Sequence, residues 1–408
     1  MNCRFCKTEL NAVFIDLFNS PASNSFLNGD QLNEPETYYP LKVYTCTSCF
    51  LVQIDEYKKT SEIFDQEYHY FSSYSKSWLK HAAQYVNYMI ERFRLNADSS
   101  IIEIASNDGY LLQYFLQKNI PVLGIEPTSN TAQEAINKGI PTIIEFFGTA
   151  LANKLKIENK KADLLLGNNV LAHVPDITDF VAGMKILLSE KGIITMEFPH
   201  LLQLIESNQF DTIYHEHFSY LSLYTVREIF LSSGLTIFDV EELTTHGGSL
   251  RIFACHKENA ELSITKNVPD ILEKEKKYGI TDIQYYQNFQ AKAFAVKIAL
   301  LEFLTKAKKE NKIVAGYGAA AKGNTLLNYC GIKSDLISFV ADANPHKQGK
   351  YLPGSHIPVV SEVYLKDNKP DYVIIFPWNL QQEIMTQLSY ISEWGGKFVI
   401  PIPTLKIM

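Results

Sequence analysis

The chain has 408 residues, of which 46% are hydrophobic and 20% are charged, as in a soluble globular protein. This length exceeds what one ordinary hydrophobic core supports, so we expect two or three domains. The formal net charge of −7 argues against nucleic acid as the main partner, because nucleic-acid binding depends on phosphate neutralisation. A small anionic ligand is still compatible with a few local cations.

Targeting signals and cysteine usage predict the compartment. No apolar run approaches the ~18–20 residues of a membrane span, and the first residues lack the layout of a signal peptide. We therefore expect a cytoplasmic protein that makes no membrane contact. There its six cysteines should be reduced or metal-bound rather than paired, with Cys255 and Cys330 in the core.

Two Cys-x-x-Cys knuckles, Cys3/Cys6 and Cys46/Cys49, lie near the N-terminus. Two such knuckles are the usual way to present four thiolates to one tetrahedral zinc. The interval between them is 39 residues, so it must form turns of its own. Two reduced pairs or a redox motif are the alternatives, although a redox pair needs only one knuckle. With all four positions filled by protein, the zinc is expected to be structural.

The pattern from Glu56 to Arg94 is helical and contains an aromatic cluster at 68–75. The cluster predicts either a turn that packs on the next domain or a lid over a ligand.

Two stretches of alternating strands and helices follow. The first has strands at 101–104, 122–125, 142–144, 162–166 and 192–196. After a charged helical pair at 269–311, the second has strands at 312–315, 336–340, 371–376 and 397–400. This spacing predicts parallel sheets with ligands at the carboxyl ends of the strands. The expected fold class is α/β, with two Rossmann-like doubly wound sheets and a small N-terminal zinc-binding module. The expected domains are 1–65, 66–262 and 263–408.

The turn after the first strand is acidic where a dinucleotide site would be rich in glycine. It runs Glu103-Ile-Ala-Ser-Asn-Asp-Gly109, and its carboxylates would repel a pyrophosphate. The sulfonium and ammonium of S-adenosylmethionine (SAM) suit this charge better. Glu126, at the end of the second strand, is placed to bind ribose hydroxyls. NAD and a sheet without a ligand are the alternatives.

A second glycine turn, Gly316-Tyr-Gly318, precedes a helix start that contains Lys322. Amide groups at a helix N-terminus together with a lysine form a phosphate site, although tight strand–helix packing would also explain the glycines. A cation-binding crevice in one sheet and an anion-binding crevice in the other suggest a phosphorylated substrate that meets SAM.

The segment Tyr214-His215-Glu216-His217 places two imidazoles beside a carboxylate and a phenol. Such a cluster suits a general base with groups that tune its pKa, a metal site or a solvated loop. The cysteines already account for the expected metal, so proton abstraction is favoured. We expect a turn, because on an extended strand His217 would face away from Tyr214 and Glu216. His215 is expected to be structural.

Seven landmarks in one order resemble the SAM-dependent C-methyltransferases of nucleotide-linked deoxysugars, and they cover nearly the whole chain. They are the four cysteines, 103–109, 124–127, Asn168-Asn-Val-Leu-Ala-His-Val-Pro-Asp176, 214–217, His246-Gly-Gly-Ser-Leu-Arg251 and 316–324. The family has a zinc module, a SAM-binding middle domain and a C-terminal Rossmann-like domain. One departure is Ala105, where SAM turns more often carry glycine.

The resemblance implies a nucleoside-diphosphate 4-keto-6-deoxysugar as substrate, methylated at the carbon beside the ketone. His217 would be the general base, and Tyr214 and Glu216 would orient it or donate to sugar oxygens. His173 would be a second polar contact, with a helix cap as the alternative. Tyr70 and Tyr74 would close over SAM or the sugar.

The resemblance also implies two binding sets. The cofactor-binding residues would be Tyr74, Glu103, Ala105, Asn107, Gly109, Glu126, Phe147, Asn168 and Asn169. The nucleotide diphosphate would be bound by Arg251, Lys322 and Asn324.

Three other functions compete with C-methylation. A SAM-dependent O- or N-methyltransferase would leave the 316–325 turn unexplained. A non-enzymatic adaptor would not bind SAM, and a His/Glu metal hydrolase at 214–217 would hold metal beyond one zinc. We expect a monomer, because both sheets have enough helices to cover them.

Overall fold

The computed structural model describes residues 1–59 and 70–408, and these form three sheets. The N-terminal sheet has the order β1-β2-β3-β9 and is antiparallel throughout. Its strands are β1 Ala12–Ser20, β2 Tyr39–Thr45, β3 Val52–Ile54 and β9 Ser219–Tyr220. The fourth strand comes from far along the chain, directly after the Tyr-His-Glu-His segment. Sequence patterns did not predict this pairing.

The middle sheet has seven strands in the order β10-β11-β8-β7-β4-β5-β6. They are β4 Ile101–Ile104, β5 Val122–Ile125, β6 Thr142–Ile143, β7 Ala162–Asn168, β8 Leu188–Pro199, β10 Leu235–Leu243 and β11 Ser249–His256. Only β11 runs against the other strands of this sheet. The helices of this part are α1 Lys76–Phe93, α2 Leu112–Leu116, α3 Ser129–Asn137, α4 Thr149–Ile157, α5 Ile177–Leu187, α6 Leu201–Glu206 and α7 Leu223–Ser232.

The C-terminal sheet has six strands in the order β14-β13-β12-β15-β16-β17. They are β12 Val314–Tyr317, β13 Val340–Ala341, β14 Val359–Val360, β15 Tyr372–Ile375, β16 Lys397–Ile400 and β17 Lys406–Ile407. The first five are parallel, and β17 is antiparallel. The helices are α8 Asn267–Tyr278, α9 Ile283–Gln287, α10 Phe289–Lys309, α11 Ala321–Cys330, α12 Glu362–Asn368 and α13 Gln381–Gln387. The predicted pair of doubly wound sheets is confirmed.

Several predicted bounds differ from the structure. The helix expected from Glu56 begins at Lys76, where the Ser75 side chain accepts from the Trp78 amide and caps it; residues 60–69 lie outside the described residues. The helical pair expected at 269–311 is three helices. The strand expected at 336–340 is only Val340–Ala341.

The N-terminal sheet shares its core with the C-terminal part of the chain. Phe14 of β1 stacks on Phe289 of α10 with ring centroids 4.6 Å apart, and both are buried. Cys255 and Cys330 are buried, as expected. The domain limits at 65 and 262 stay predictions. Among the helices of the described part, none is long and apolar enough to cross a membrane.

Candidate active site and zinc site

The four N-terminal cysteines come together in space. Their sulfur atoms all lie within 4.8 Å of one another, with Cys3 and Cys49 at 3.6 Å and Cys6 and Cys46 at 3.4 Å. Tetrahedral zinc with Zn–S bonds of about 2.3 Å requires sulfur atoms about 3.8 Å apart. The thiolate set therefore fits one zinc ion with no position left for a substrate.

The turn after β4 opens the crevice where the methyl donor is expected. Ala105, Asn107 and Gly109 all have left-handed backbone, with φ of 58°, 49° and 74°. This conformation favours glycine, which explains why glycine is more usual at position 105. A Cβ on Gly109 would also approach the Cδ1 of Ile140 to 2.3 Å, so backbone and packing both require glycine there.

Buried acceptors without partners line this crevice. Glu103 is fully buried, and neither carboxylate oxygen forms a hydrogen bond of normal geometry among the described residues. Burial raises its pKa well above the usual value, and the Tyr110 hydroxyl offsets part of this effect. Asp108 Oδ1 and Asn168 Oδ1 are also buried and unpartnered within the described chain. Unpaired buried acceptors are costly, and the ammonium of SAM would supply donors, so these residues fit that cofactor.

Glu126 lies at the end of β5, as predicted, but its carboxylate already has partners. Oε1 accepts from the Thr128 amide and Oε2 from the Asn107 amide, both at 2.9 Å. Glu126 thereby holds the turn after β4 against the neighbouring strand, and its ribose contact stays a prediction. Half-buried Phe147 packs edge-on against Phe180, with ring centroids 5.3 Å apart.

Asn168 is the last residue of β7 and Asn169 follows it; because β7 pairs with β4 in parallel, both lie at the same sheet edge as the acidic turn. Asn168 Nδ2 lies 3.4 Å from the Tyr110 hydroxyl. Asn169 has a φ of 55°, and its Nδ2 lies 2.8 Å from Nε2 of His246. The two asparagines therefore connect the crevice to the 245–248 turn.

The Tyr-His-Glu-His segment forms a tight turn, in which the His217 amide donates to the Tyr214 carbonyl at 3.0 Å. This confirms the expected turn. The ring of Tyr214 lies 4.0 Å from that of His217, centroid to centroid. The ring of His173 meets His217 at 4.6 Å and an interplanar angle of 80°. Three of the residues predicted to be catalytic are therefore in contact.

The protonation of His217 follows from its hydrogen bond. Nδ1 lies 2.9 Å from the Thr212 carbonyl oxygen, which can only accept, so Nδ1 carries the proton. Within the described residues, no hydrogen bond involves Nε2. Burial lowers the pKa of His217 well below its usual value, and the charges of His173 and Lys322 add to this effect. The ring is therefore neutral at pH 7, with a free lone pair on Nε2.

His173 ends a short 3-10 turn, Leu171–His173. Burial lowers its pKa to about 4. The alternative role as a helix cap is wrong, because the Asp176 side chain caps α5 by accepting from the Asp179 amide at 3.0 Å.

The other two members of the turn face the N-terminal sheet. Glu216 Oε1 accepts from Asn24 Nδ2 at 2.6 Å, and burial raises the pKa of this carboxyl to about 7. His215 Nε2 lies 3.3 Å from the Pro40 carbonyl, as suits a structural residue. The predicted orientation of His217 by Glu216 is not observed. The Thr212 carbonyl orients the ring instead, because the turn directs the carboxylate towards Asn24.

Residues 70–74 lie between the crevice and the C-terminal sheet. Asn107 Oδ1 accepts from the Ser72 amide at 2.9 Å, and Nδ2 donates to the Tyr70 carbonyl at 3.1 Å. The Tyr74 hydroxyl lies 3.3 Å from Nε2 of His346, in the loop after β13. These contacts are those expected of the packing turn, and the lid over a ligand stays a prediction. Contact of either tyrosine with a ligand stays a prediction.

The C-terminal sheet reverses its strand order between β12 and β15, which is where doubly wound folds bind ligands. Half-buried Lys322 lies there, with Nζ 2.9 Å from Asn379 Oδ1 and 4.5 Å from the Trp378 ring centroid. Trp378 Nε1 donates to Asp211 Oδ2 at 2.7 Å. Burial lowers the pKa of Lys322 to about 8 and raises that of Asp211 to about 7. This crevice therefore faces the segment that carries the Tyr-His-Glu-His turn.

Packing explains the glycines at this site. A Cβ on Gly316 would lie 2.4 Å from Phe376, and one on Gly318 would lie 2.5 Å from Pro377. The phosphate site stays a prediction. Asn324 is fully buried in α11, and its side-chain amide atoms have no hydrogen-bond partner in the described part of the chain. Its contact with the substrate also stays a prediction.

Known proteins match this arrangement from end to end. A zinc binding domain model matches residues 3–64, a methyltransferase domain model 77–240 and a C-methyltransferase C-terminal domain model 244–403. The C-methyltransferase NovU of Streptomyces niveus is 33% identical over 406 residues, which are 100% of this chain and 96% of that protein. The chain belongs to the SAM-dependent C-methyltransferase family.

Solved structures match part of this C-methyltransferase. Magnesium protoporphyrin IX methyltransferase from Synechocystis PCC 6803, with bound SAM, is 15% identical, with 44% of this chain and 79% of that chain covered at a TM-score of 0.34. The PH0226 protein of Pyrococcus horikoshii OT3 is 13% identical, with 49% and 100% covered at a TM-score of 0.39. SAM is the cofactor of the family, and the four-cysteine cluster is its zinc site.

The substrate contact of Arg251 stays a prediction in this C-methyltransferase, and the structure pairs this residue with carboxylates of the chain instead. Arg251 lies on β11 and is 4% exposed, and its guanidinium donates to Glu197 at 2.8 Å and Glu241 at 3.2 Å. It also lies over the Tyr85 ring at 4.8 Å. Because inward-facing residues of β11 pack against β8 and α1, the side chain is directed into the middle domain.

Sequence patterns missed three groups at the site. The Thr212 carbonyl has no sequence signal, because every residue carries one. Asp211 lies three residues before the Tyr-His-Glu-His segment, but only its burial distinguishes it from a surface carboxylate. Trp378 offered a usable signal, since Phe-Pro-Trp directly follows strand β15, at the edge where ligands bind.

Proposed function

We propose that this protein transfers a methyl group from SAM to the carbon beside the ketone of a nucleoside-diphosphate 4-keto-6-deoxysugar. The observation that carries the proposal is the state of His217. Its Nδ1 is tied to the Thr212 carbonyl, and its Nε2 is unpaired within the described residues. A neutral imidazole with a free nitrogen in a buried site is suited to removing a weakly acidic hydrogen.

Proton removal is the first step assigned to this chain. His217 Nε2 takes the hydrogen as a proton from the carbon beside the ketone. The electrons of that C–H bond form a double bond to the carbonyl carbon, and the carbonyl π electrons move to the oxygen to give the enolate. The Tyr214 ring lies 4.0 Å from His217. Burial raises the pKa of Tyr214 well above its usual value, so the hydroxyl stays protonated and can donate to the enolate oxygen.

The methyl donor is held at the opposite side of this site. When bound, SAM supplies an electrophilic methyl group that the substrate carbon can take. The unpartnered oxygens of Asp108 and Asn168 fit its ammonium. The lid at 70–74, tied to Asn107, excludes water from the space between cofactor and substrate.

The nucleotide diphosphate is assigned to the crevice between β12 and β15. Lys322 is largely protonated at pH 7, with a pKa of about 8, and no carboxylate of the described residues contacts its ammonium directly. A half-buried cation at a helix start supports recognition of a phosphate group. If the phosphate is bound beside Lys322, a sugar attached to it can extend to the catalytic turn.

Incubation with SAM and a panel of dTDP- and GDP-4-keto-6-deoxysugars tests the proposal. We expect one substrate to gain 14 mass units, and deuterium to exchange into the carbon beside the ketone in D2O. Methylation that is not accompanied by His217-dependent deuterium exchange would indicate transfer to oxygen or nitrogen. That result would refute the enolate step.

A further inference from the structure

Arg4 follows the first zinc ligand, Cys3, and its guanidinium extends out of the knuckle. Nη1 donates to the Pro175 carbonyl at 2.7 Å. Nη2 donates to the Ile54 carbonyl. The guanidinium carbon lies 5.4 Å from the centroid of the Phe218 ring. One side chain therefore links the knuckle to three separate segments.

Two of these contacts adjoin the half-buried histidines His173 and His217. Pro175 comes two residues after His173, and Phe218 directly follows His217. The histidine rings meet at 4.6 Å. These rings belong to different segments, so their relative position depends on whatever joins those segments. The guanidinium of Arg4 does so directly.

The backbone of the knuckle supports the same arrangement. The Arg4 amide donates to Gln53 Oε1 at 2.8 Å, and Gln53 Nε2 lies 3.2 Å from the Cys3 sulfur. Gln53 is fully buried and pairs with Ser219, in the strand that follows the catalytic turn. The zinc knuckle is therefore connected to β9 through both the backbone and the side chain of its second residue.

We propose that Arg4 is a positioning residue, which holds the His173 and His217 segments in register and so connects the zinc knuckle to the catalytic turn. Its effect on methyl transfer rests on the proposed function of His217, whereas its effect on the geometry of the two rings does not. The planar guanidinium presents N–H donors in a fixed fork, so it can hold two carbonyls and stack on a ring. A lysine at position 4 keeps the charge but not the fork.

The competing explanation is that Arg4 only stabilises the zinc loop. The metal is held by four thiolates, and no hydrogen bond joins the Arg4 side chain to any of their sulfur atoms within the described residues. We therefore expect Arg4 variants to retain zinc.

The test uses the zinc-loaded full chain with Arg4→Lys and Arg4→Ala. Arg94→Ala, at an exposed arginine that ends α1, is the matched control. Three quantities are measured: zinc per chain, the ¹⁵N and ¹H signals of the His173 and His217 rings, and kcat and KM for deuterium exchange and methylation. Free guanidine is then added to Arg4→Ala.

We expect both Arg4 variants to keep one zinc and to shift both ring signals. A misplacement of a catalytic group by about 1 Å can lower the reaction rate about 10²-fold. We therefore expect kcat to fall about 10- to 100-fold, with KM for SAM changed less than about twofold. Guanidine should restore part of kcat in Arg4→Ala and none in the control.

Unchanged ring signals in zinc-loaded Arg4→Ala would overturn the proposal. So would loss of zinc in both Arg4 variants, because Arg4 would then act through the metal site. If the wild-type protein and His217→Asn show the same deuterium exchange, only the proposed function is refuted. The ring signals would still report whether Arg4 positions the two histidines.

Discussion

Replacement of His217 by asparagine tests the base directly. The Asn amide can still donate to the Thr212 carbonyl, which His217 Nδ1 contacts at 2.9 Å, but it has no basic nitrogen. A positioned general base contributes ~10²–10⁴-fold, which corresponds to about 2.7–5.4 kcal/mol at ~1.36 kcal/mol per tenfold. We therefore expect kcat for exchange and for methylation to fall together by this factor.

The pH dependence gives a second check on the same residue. Burial, His173, Lys322 and His246 all lower the pKa of His217 below 6.5. The base is active when neutral, so its contribution to kcat should be flat from pH 7 to 8 and should fall only below pH 6.5. Lys322→Met removes one of the positive charges and should move this acidic limb to higher pH.

Deuterium exchange from D2O, read by mass spectrometry, is the assay for His217→Asn, with SAM binding by calorimetry as the check on folding. His256→Asn is the matched control, because His256 lies at the last position of β11 and its Nε2 contacts the Leu188 carbonyl of β8. Exchange near the wild-type rate in His217→Asn, with normal substrate binding, would refute the assignment.

Three further variants probe stability. Burial raises the Asp211 pKa from 3.8 to about 7, so its neutral form stabilises the fold below pH 4 and that contribution is lost as pH rises to 7. Asp211→Asn should therefore be more stable than wild type by up to about 4 kcal/mol at pH 8 but by little at pH 4. Equal shifts of the denaturation midpoint at both pH values would contradict this. Gly109→Ala should lower the free energy of unfolding by about 2–5 kcal/mol, because of left-handed backbone strain and overlap with Ile140. Its control, Gly139→Ala, has a φ of 80° and no atom within 4 Å of the added Cβ, so it should lose only the strain. Equal losses in Tm for the two variants would exclude the packing argument. Arg251→Met removes the cation beside buried Glu197 and leaves that carboxylate only the His81 ring and the Thr245 hydroxyl among its described side-chain partners. It should cost up to about 3 kcal/mol with unchanged affinity for nucleoside diphosphates by calorimetry, and a selective loss of that affinity would support the predicted substrate contact.

Local features of the chain determined the family and most of the architecture. Cysteine spacing predicted the zinc site, because a tetrahedral ion needs four thiolates and two knuckles supply them. The acidic turn at 103–109 predicted the methyl donor, because carboxylates repel a pyrophosphate and attract a cation. Alternation of strands and helices predicted both doubly wound sheets, since each short connection leaves few ways to place the next strand.

Only the tertiary structure decided which groups meet. Arg251 and Lys322 are both cations in glycine-containing segments, yet one is buried beside Glu197 and the other lies over Trp378 at a sheet edge. The pairing of β9 with β3 joins residues more than 160 positions apart, as does the contact of Arg4 with Pro175. Such contacts depend on how whole elements pack, and no local pattern encodes them. The sequence therefore determined His217 as the candidate base, and packing decided its proton, its partners and its connection to the zinc knuckle.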